Sequence, residues 1–355
     1  MHVSVPPRSR SVRSIPANPA ATGGALDRRR LLQLAAAAGA AGLLTGCGGI
    51  RLGQPETYTP PPEGIDDLYL ADLQDALATA LELARAGVES PDAASATAQE
   101  LSLALADQQQ ALLTGAQAED AESSSSDGSS ATPRSPVPAQ QLLDAITDLR
   151  DLTIDAARQC SGALARPVIA IGAHLSWVMP RLATAASLPA PSAPPAPKHI
   201  TATRTVPASD PPSIGAPSDY ATLLELMQSD EWFAGYVFEV LAARTEGKRR
   251  RHFRRRSRTH RDRARRLGTF ADEAGATVVA QEAVYPLDEK LMAEGEVRVQ
   301  AVIDERLLDG HVALVGAAPF EKRPLPISAA LTQATWLADV QGHLAALPSL
   351  ETEDD

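Results

Sequence analysis

The sequence predicts an all-α protein, with a four-helix bundle at its C-terminal side preceded by further helical hairpins and disordered linkers. Three observations carry this. The 355-residue chain is 44% hydrophobic but only 4% aromatic, so its cores must be built mainly from Leu, Ala and Val, and Leu and Ala are strong helix formers. Apolar residues recur at intervals of three and four along much of the chain, the period of a helix with one buried face. Pro- and Ser-rich stretches break that pattern at 116–138, where too little apolar surface is available to order the chain, and at 187–217, which reads as a semi-rigid Pro-rich linker.

In chain order, residues 1–46 read as an export signal. Asp27-Arg28-Arg29-Arg30-Leu31-Leu32-Gln33 resembles the twin-arginine motif, with Arg28 and Arg29 as its pair. Leu31 to Gly46 is an apolar run diluted by Ala, Gly39 and Gly42. It is shorter than the roughly 20 residues of a spanning helix, so it reads as the hydrophobic region of a signal. Leu44-Thr45-Gly46-Cys47 resembles the lipobox of bacterial lipoproteins, which implies a diacylglycerol thioether on Cys47 and cleavage ahead of it. Each buried CH₂ contributes about 0.8 kcal/mol, so two acyl chains hold a protein on a bilayer where one is marginal. The expected location is the extracytoplasmic face of the cell membrane. Residues 47–65, with Pro55 and Pro60 to Pro62, then read as a tether.

Residues 1–46 carry six Arg and one acid, so cleavage before Cys47 moves the net charge of the chain from −11 to about −16. That acidity disfavours nucleic acid as a partner. The second cysteine, Cys160, has no intramolecular partner once Cys47 is lipidated, so stability must come from packing.

Leu68, Leu73, Leu77 and Leu81, then Leu101, Leu105, Leu112 and Leu113, predict a helical hairpin over 66–115. After the disordered linker at 116–138, a helical pair spans 139–186, and the Pro-rich linker at 187–217 marks a domain boundary. Four helical patterns fit 218–245, 247–273, 289–316 and 324–346, followed by an acidic tail at 347–355. Only the segment between the second and third helices is long. About 15 extended residues reach roughly 50 Å, more than the roughly 39 Å length of such a helix. One long crossover in a four-helix bundle is the ferritin-like connectivity.

The stretches Glu231 to Phe238, Thr259 to Arg266, Ala274-Gly275-Ala276 and Val284 to Leu287 resemble a ferritin-like domain of unknown function found in exported lipoproteins of high-GC Gram-positive bacteria. The resemblance covers 218–346 and implies a fold and a compartment, since that family has no established activity. Where its first helix usually carries His and Gly, this chain has Trp232 and Glu239.

On the first bundle helix the apolar stripe Leu224, Met227, Glu231, Ala234, Phe238, Leu241 turns Glu231 inward. On the second, Phe253, Ser257, His260, Ala264, Leu267 and Ala271 turn His260 inward while the arginines face out. Glu231 and His260 lie at nearly equal distances from a turn near Glu246, so antiparallel packing sets them level. Val302, Glu305, Leu308, Val312 and Val315 add Glu305 from the third helix, with Thr335 opposite on the fourth. A ferritin-like di-metal site needs a Glu on two helices and Glu-x-x-His on the other two. Here Ser257-x-x-His260 is a remnant and half the ligands are missing. The expectation is a buried Glu231–His260–Glu305 cluster with no cofactor; the alternative is iron or another transition metal at a degenerate site, serving metal storage or oxidoreduction.

Between Lys248 and Arg266, 12 of 19 residues are Lys or Arg, with one acid, Asp262. Either this is a solvated face balanced by acids elsewhere, or it contacts a polyanion through residues such as Arg254, Arg255 and Arg258. Outside the cell that polyanion would be anionic lipid or cell-wall polymer, at about 1 kcal/mol per basic residue near a charged surface. No Ser-His-Asp array, Cys-x-x-Cys or phosphate-binding Gly loop points to another enzyme class. The expected function is therefore a binding or structural module of the cell envelope, with an enzyme less favoured. Cys47→Ala should release or trap the precursor, read by membrane fractionation, and Arg28→Lys with Arg29→Lys should diminish export; processing and anchoring unchanged in Cys47→Ala would refute the lipobox.

Overall fold

The computed structural model describes residues 64–89, 92–115, 117, 119, 135–206 and 217–350. Arg28, Arg29, Cys47, nearly all of the tether, most of the Ser-rich stretch and the last five acidic-tail residues lie outside them. The described residues form nine α-helices and two single-turn 3-10 helices, with no strand beyond an isolated bridge between Val88 and Val137. The α-helices are α1 (Ile65–Ala86), α2 (Asp92–Ala111), α3 (Ala139–Gln159), α4 (Gly162–Ala185), α5 (Pro217–Arg244), α6 (Gly247–Glu273), the short α7 (Glu289–Ala293), α8 (Glu296–Ala317) and α9 (Pro324–Leu337).

α4 is buried on nearly every side, from Val168 through Met179 without a break, and it packs against α2, α3, α8 and α9. A helix apolar all round belongs in a core. It is also long and apolar enough to cross a membrane, but most of it is enclosed by its neighbours. α1 to α4 form one core together with Leu308, Val312 and Val315 of α8 and Ile327, Leu331 and Leu337 of α9. A second core joins α5 and α6 to the other face of α8, through Val299, Ile303, Leu307 and Leu314. α8 therefore has two apolar faces, and residues 61–355 make one compact unit.

The described part of the Pro-rich stretch, up to Val206, is strapped onto the helices. Arg150 Nη1 donates to the Ser192 carbonyl at 3.2 Å, Ser328 Oγ to that of Pro195 at 2.7 Å, and Gln159 Nε2 to that of Arg204 at 2.6 Å. Ile200 is buried in the first core. The last helix ends at Leu337, short of the expected 346, because the backbone beyond it is committed elsewhere. Gln108 donates to the Ala346 carbonyl at 2.8 Å, His174 bonds that of Ala345 at 2.9 Å and Arg166 donates to that of Ser349 at 2.8 Å.

α5 and α6 form a hairpin closed at Gly247, whose φ of +58° suits glycine. The segment after α6 runs back along α5: Thr277 N–H donates to Glu225 at 2.9 Å, Val279 N–H to Gln228 at 2.7 Å, and the Trp232 indole N–H to the Val279 carbonyl at 3.0 Å. Tyr285 then packs against the rings of Phe233 and Tyr236. Trp232 thus pins the segment between α6 and α7.

Because α8 and α9 complete the first core, a fragment of residues 218–346 should not fold. Leu308, Val312, Ile327, Leu331 and Leu337 would lose their cover, at about 1.5–3 kcal/mol each, against a typical total of about 5–15 kcal/mol. Thermal melts by circular dichroism should show no cooperative transition for the fragment and one for residues 61–355.

Candidate functional site: a buried ionic cluster and an arginine face

The cluster is built on three helices. Leu224, Met227, Glu231, Ala234, Phe238 and Leu241 form a buried stripe on α5, and Phe253, Ser257, His260, Ala264, Leu267 and Ala271 one on α6. The two helices come close where Ser257 Oγ donates to the Gly235 carbonyl at 2.7 Å. A Cβ on Gly235 would lie 2.8 Å from Arg261 Cγ, so the approach requires glycine.

Glu231, His260 and His311 are each 0% exposed. His260 Nδ1 lies 2.7 Å from Glu231 Oε2, and His311 Nε2 2.7 Å from Oε1. A carboxylate only accepts, so both imidazoles donate to it, leaving His260 Nε2 and His311 Nδ1 buried and unpartnered. Arg263 Nη1 approaches Oε1 to 3.6 Å. Arg256 pairs with the buried Asp304 and also faces Gln300 Oε1 at 3.4 Å. Its guanidinium lies between two rings, 4.0 Å from the centroid of Phe238 and 4.1 Å from that of Trp336. His260 stacks on Phe238 at 5.1 Å and meets Trp336 edge-on at 5.7 Å. Two carboxylates and two guanidinium groups thus balance inside the fold, as buried charges must.

Burial alone would push the Glu231 carboxyl up, but His260, His311 and Arg263 outweigh it and hold it well below the usual carboxylate range. Burial, against the pull of Glu231, lowers His260 to about 4 and lowers His311 as well. Asp304 goes the other way, raised by burial to about 6 in spite of Arg256.

Two of the three expected residues meet. Glu305 does not: it is half-buried, and no hydrogen bond or ion pair joins it to Glu231 or His260 among the described residues. His311, six positions on, supplies the contact from α8. The stripe containing Leu308, Val312 and Val315 faces the first core, whereas Ile303, Leu307, His311 and Leu314 face α5 and α6; a reading that allows one buried face per helix selects the wrong one. Thr335 is half-buried, and the residue of α9 that reaches the cluster is its neighbour Trp336. The arginines of α6 do not all face out: Arg256 and Arg263 are 3% and 8% exposed. Their spacing to His260, four before and three after, is the helical signal that marks them.

The donors do not fit a transition metal. Both oxygens of Glu231 already accept imidazole N–H groups, a guanidinium stands beside them, and four or more N or O donors are the usual requirement. Among the described residues no group of three or more His, Cys, Asp or Glu is arranged to hold a metal ion.

The outer face of α6 is different in kind. Arg249, Arg261 and Arg265 pair with Glu296, Glu239 and Asp262. Arg254, Arg255 and Arg258 are exposed and pair with no acid among the described residues. Arg254 and Arg258 line a groove of about 390 Å³ together with Arg261 and Glu239.

The molecule is thus an all-α protein with an ionic centre and one strongly basic helix face. Residues 229–352 match a family described as a domain of unknown function (DUF4439). That span begins two residues before Glu231 and contains the whole ionic cluster. No curated protein and no solved structure matches the chain.

The pH dependence of stability carries the signature of the cluster. An unfolded imidazole takes its proton near pH 6.5, but His260 in the fold takes it only near 4. The unfolded state therefore binds more protons in that window, and stability falls as the pH drops through it. Glu231, depressed in the fold, adds to the loss once the pH falls below about 4.3. Asp304 has the opposite sign: its folded carboxyl protonates near 6, above about 3.9 when unfolded, which offsets part of the loss. Asp304→Asn removes that offset, so its melting temperature should fall more steeply than that of the wild type between pH 6.5 and 4. An equal slope would show that Asp304 is ionised throughout.

Proposed function

We propose that the protein is a lipid-anchored module on the extracytoplasmic face of the cell membrane which binds an anionic envelope component through the outer face of α6. The observation that carries this reading is the row Arg254, Arg255, Arg258, exposed and without acid partners among the described residues. Arginines concentrated on one helix focus a positive field that the acidic remainder of the chain does not cancel locally. The twin-arginine motif at Arg28-Arg29 and the lipobox ending at Cys47 support the compartment. The long crossover and the Glu231–His260 pair support a ferritin-like origin for α5, α6, α8 and α9, now centred on an ionic cluster. The function is then binding, and the bundle serves as a rigid support for α6.

Residues 61–355, which lack the lipid anchor, should sediment with vesicles containing anionic lipid, or with anionic wall polymer, and not with neutral vesicles. Binding should weaken steeply from low to physiological salt, where the screening length shortens to about 8 Å. The triple variant Arg254→Glu, Arg255→Glu, Arg258→Glu should lose it while keeping its melting temperature, since surface substitutions of this kind usually change stability by about 0.5 kcal/mol or less. No sedimentation of the wild type at low salt would sink the proposal, and a stoichiometric transition metal found by elemental analysis would replace it with metal chemistry at Glu231.

A further inference from the structure

Beside the ionic cluster, α6, α9 and the Pro194–Pro197 part of the strap line a solvent-open cavity of about 370 Å³. We propose that this cavity binds a small amphiphilic anion: a carboxylate or phosphate monoester carrying a flat apolar group. The proposal is independent of the arginine row on the outer face of α6, none of whose three residues lines the cavity.

Charge and hydrogen bonding select an anion. Arg263 lines the cavity and is 8% exposed; its Nη1 is buried on the side of the ionic cluster, facing Glu231. Its nearest carboxylate oxygen, on Glu231, is 3.6 Å away. Arg266 stands exposed on the same wall and pairs with no acid among the described residues. Asp262 also lines the cavity, but Arg265 holds its carboxylate. The hydroxyls of the wall are already committed as donors: Thr259 to the Arg255 carbonyl at 3.2 Å, Ser328 to that of Pro195 at 2.7 Å and Thr332 to that of Ser328 at 2.6 Å. The cavity's uncommitted charged donor is therefore the Arg266 guanidinium, whose fork suits carboxylate and phosphate oxygens, with the positive charge of Arg263, the ion-pair partner of Glu231, behind it.

The rest of the wall selects a flat apolar body. Trp336, Leu325, Ala329, Pro194 and Pro197 line it. The half-buried Trp336 ring is held by Arg256 at 4.1 Å and by the edge of His260 at 5.7 Å, so it is set before any ligand arrives. The strap is fixed as well, through the bond from Ser328 to Pro195. A volume of this size, lined by apolar and polar groups in similar measure, lies in the range of small-molecule sites.

The test uses the full chain and phenyl phosphate as probe, followed by calorimetry and by tryptophan fluorescence, in which Trp336 is the least buried of the three indoles. Phenyl phosphate should bind with a Kd of about 1 mM or tighter, and inorganic phosphate and benzyl alcohol each at least about tenfold more weakly. Arg266→Glu, at an exposed position, should weaken phenyl phosphate by about tenfold or more. Thr332→Trp, which fills the cavity, should abolish binding, and the Arg254, Arg255, Arg258 triple Glu variant should bind as the wild type does. Circular dichroism confirms that each variant is folded. The proposal is overturned if phenyl phosphate does not bind, if inorganic phosphate or benzyl alcohol binds equally well, or if folded Thr332→Trp and Arg266→Glu bind it unchanged.

Discussion

A carboxylate at the centre of a helical core is the constraint on which the second half of this structure depends. Glu231 has no exposed surface, and an unpaired charge there would cost several kcal/mol. Its two oxygens are met by one imidazole from α6 and one from α8, so three helices are locked in rotation about their axes by a single side chain. The same rotation of α6 carries Arg256 and Arg263 inward. Asp304 answers Arg256 from α8, and the ring of Trp336 on α9 covers both guanidinium groups. The ionic centre is thus also what positions α9, and with it the cavity wall.

α8 bears the second constraint. It is the wall shared by two cores: Leu308, Val312 and Val315 complete the layer of α1 to α4, while Ile303, Leu307 and Leu314 complete the layer of α5 and α6. The residues that match the family of unknown function, 229–352, contain the ionic cluster whole but not the helix α4 against which α8 and α9 rest. Arg323 ties these parts together at the end of α3. Fully buried, it donates to the carbonyls of Ala157 at 3.2 Å and of Cys160, which lie at a helix C-terminus where a cation is favoured.

α6 separates two uses of the same residue type. Inward, Arg256 and Arg263 balance Asp304 and Glu231 and are held against aromatic rings, which suits the flat, weakly hydrated guanidinium. Outward, Arg254, Arg255 and Arg258 face solvent and pair with no acid among the described residues. The inner set is structural electrostatics, and the outer set is a surface field. Arg266, at the cavity, lies between the two.

The sequence by itself determined the helical class and the inward stripes of α5 and α6, because periodicity is a local property of a chain. It also set Glu231 level with His260, since two residues equidistant from one tight turn must meet in an antiparallel pair. Only the tertiary structure decided that α8 buries two faces, which put His311 rather than Glu305 against Glu231. It alone turned the Pro-rich stretch into a strap, since Ser328, Arg150 and Gln159 reach it from helices distant in sequence. The cavity behind Trp336 has walls from α6, α9 and that strap, and no single segment encodes it. Which face of a helix is buried depends on how many neighbours it has, and the number of neighbours is a property of the assembled fold.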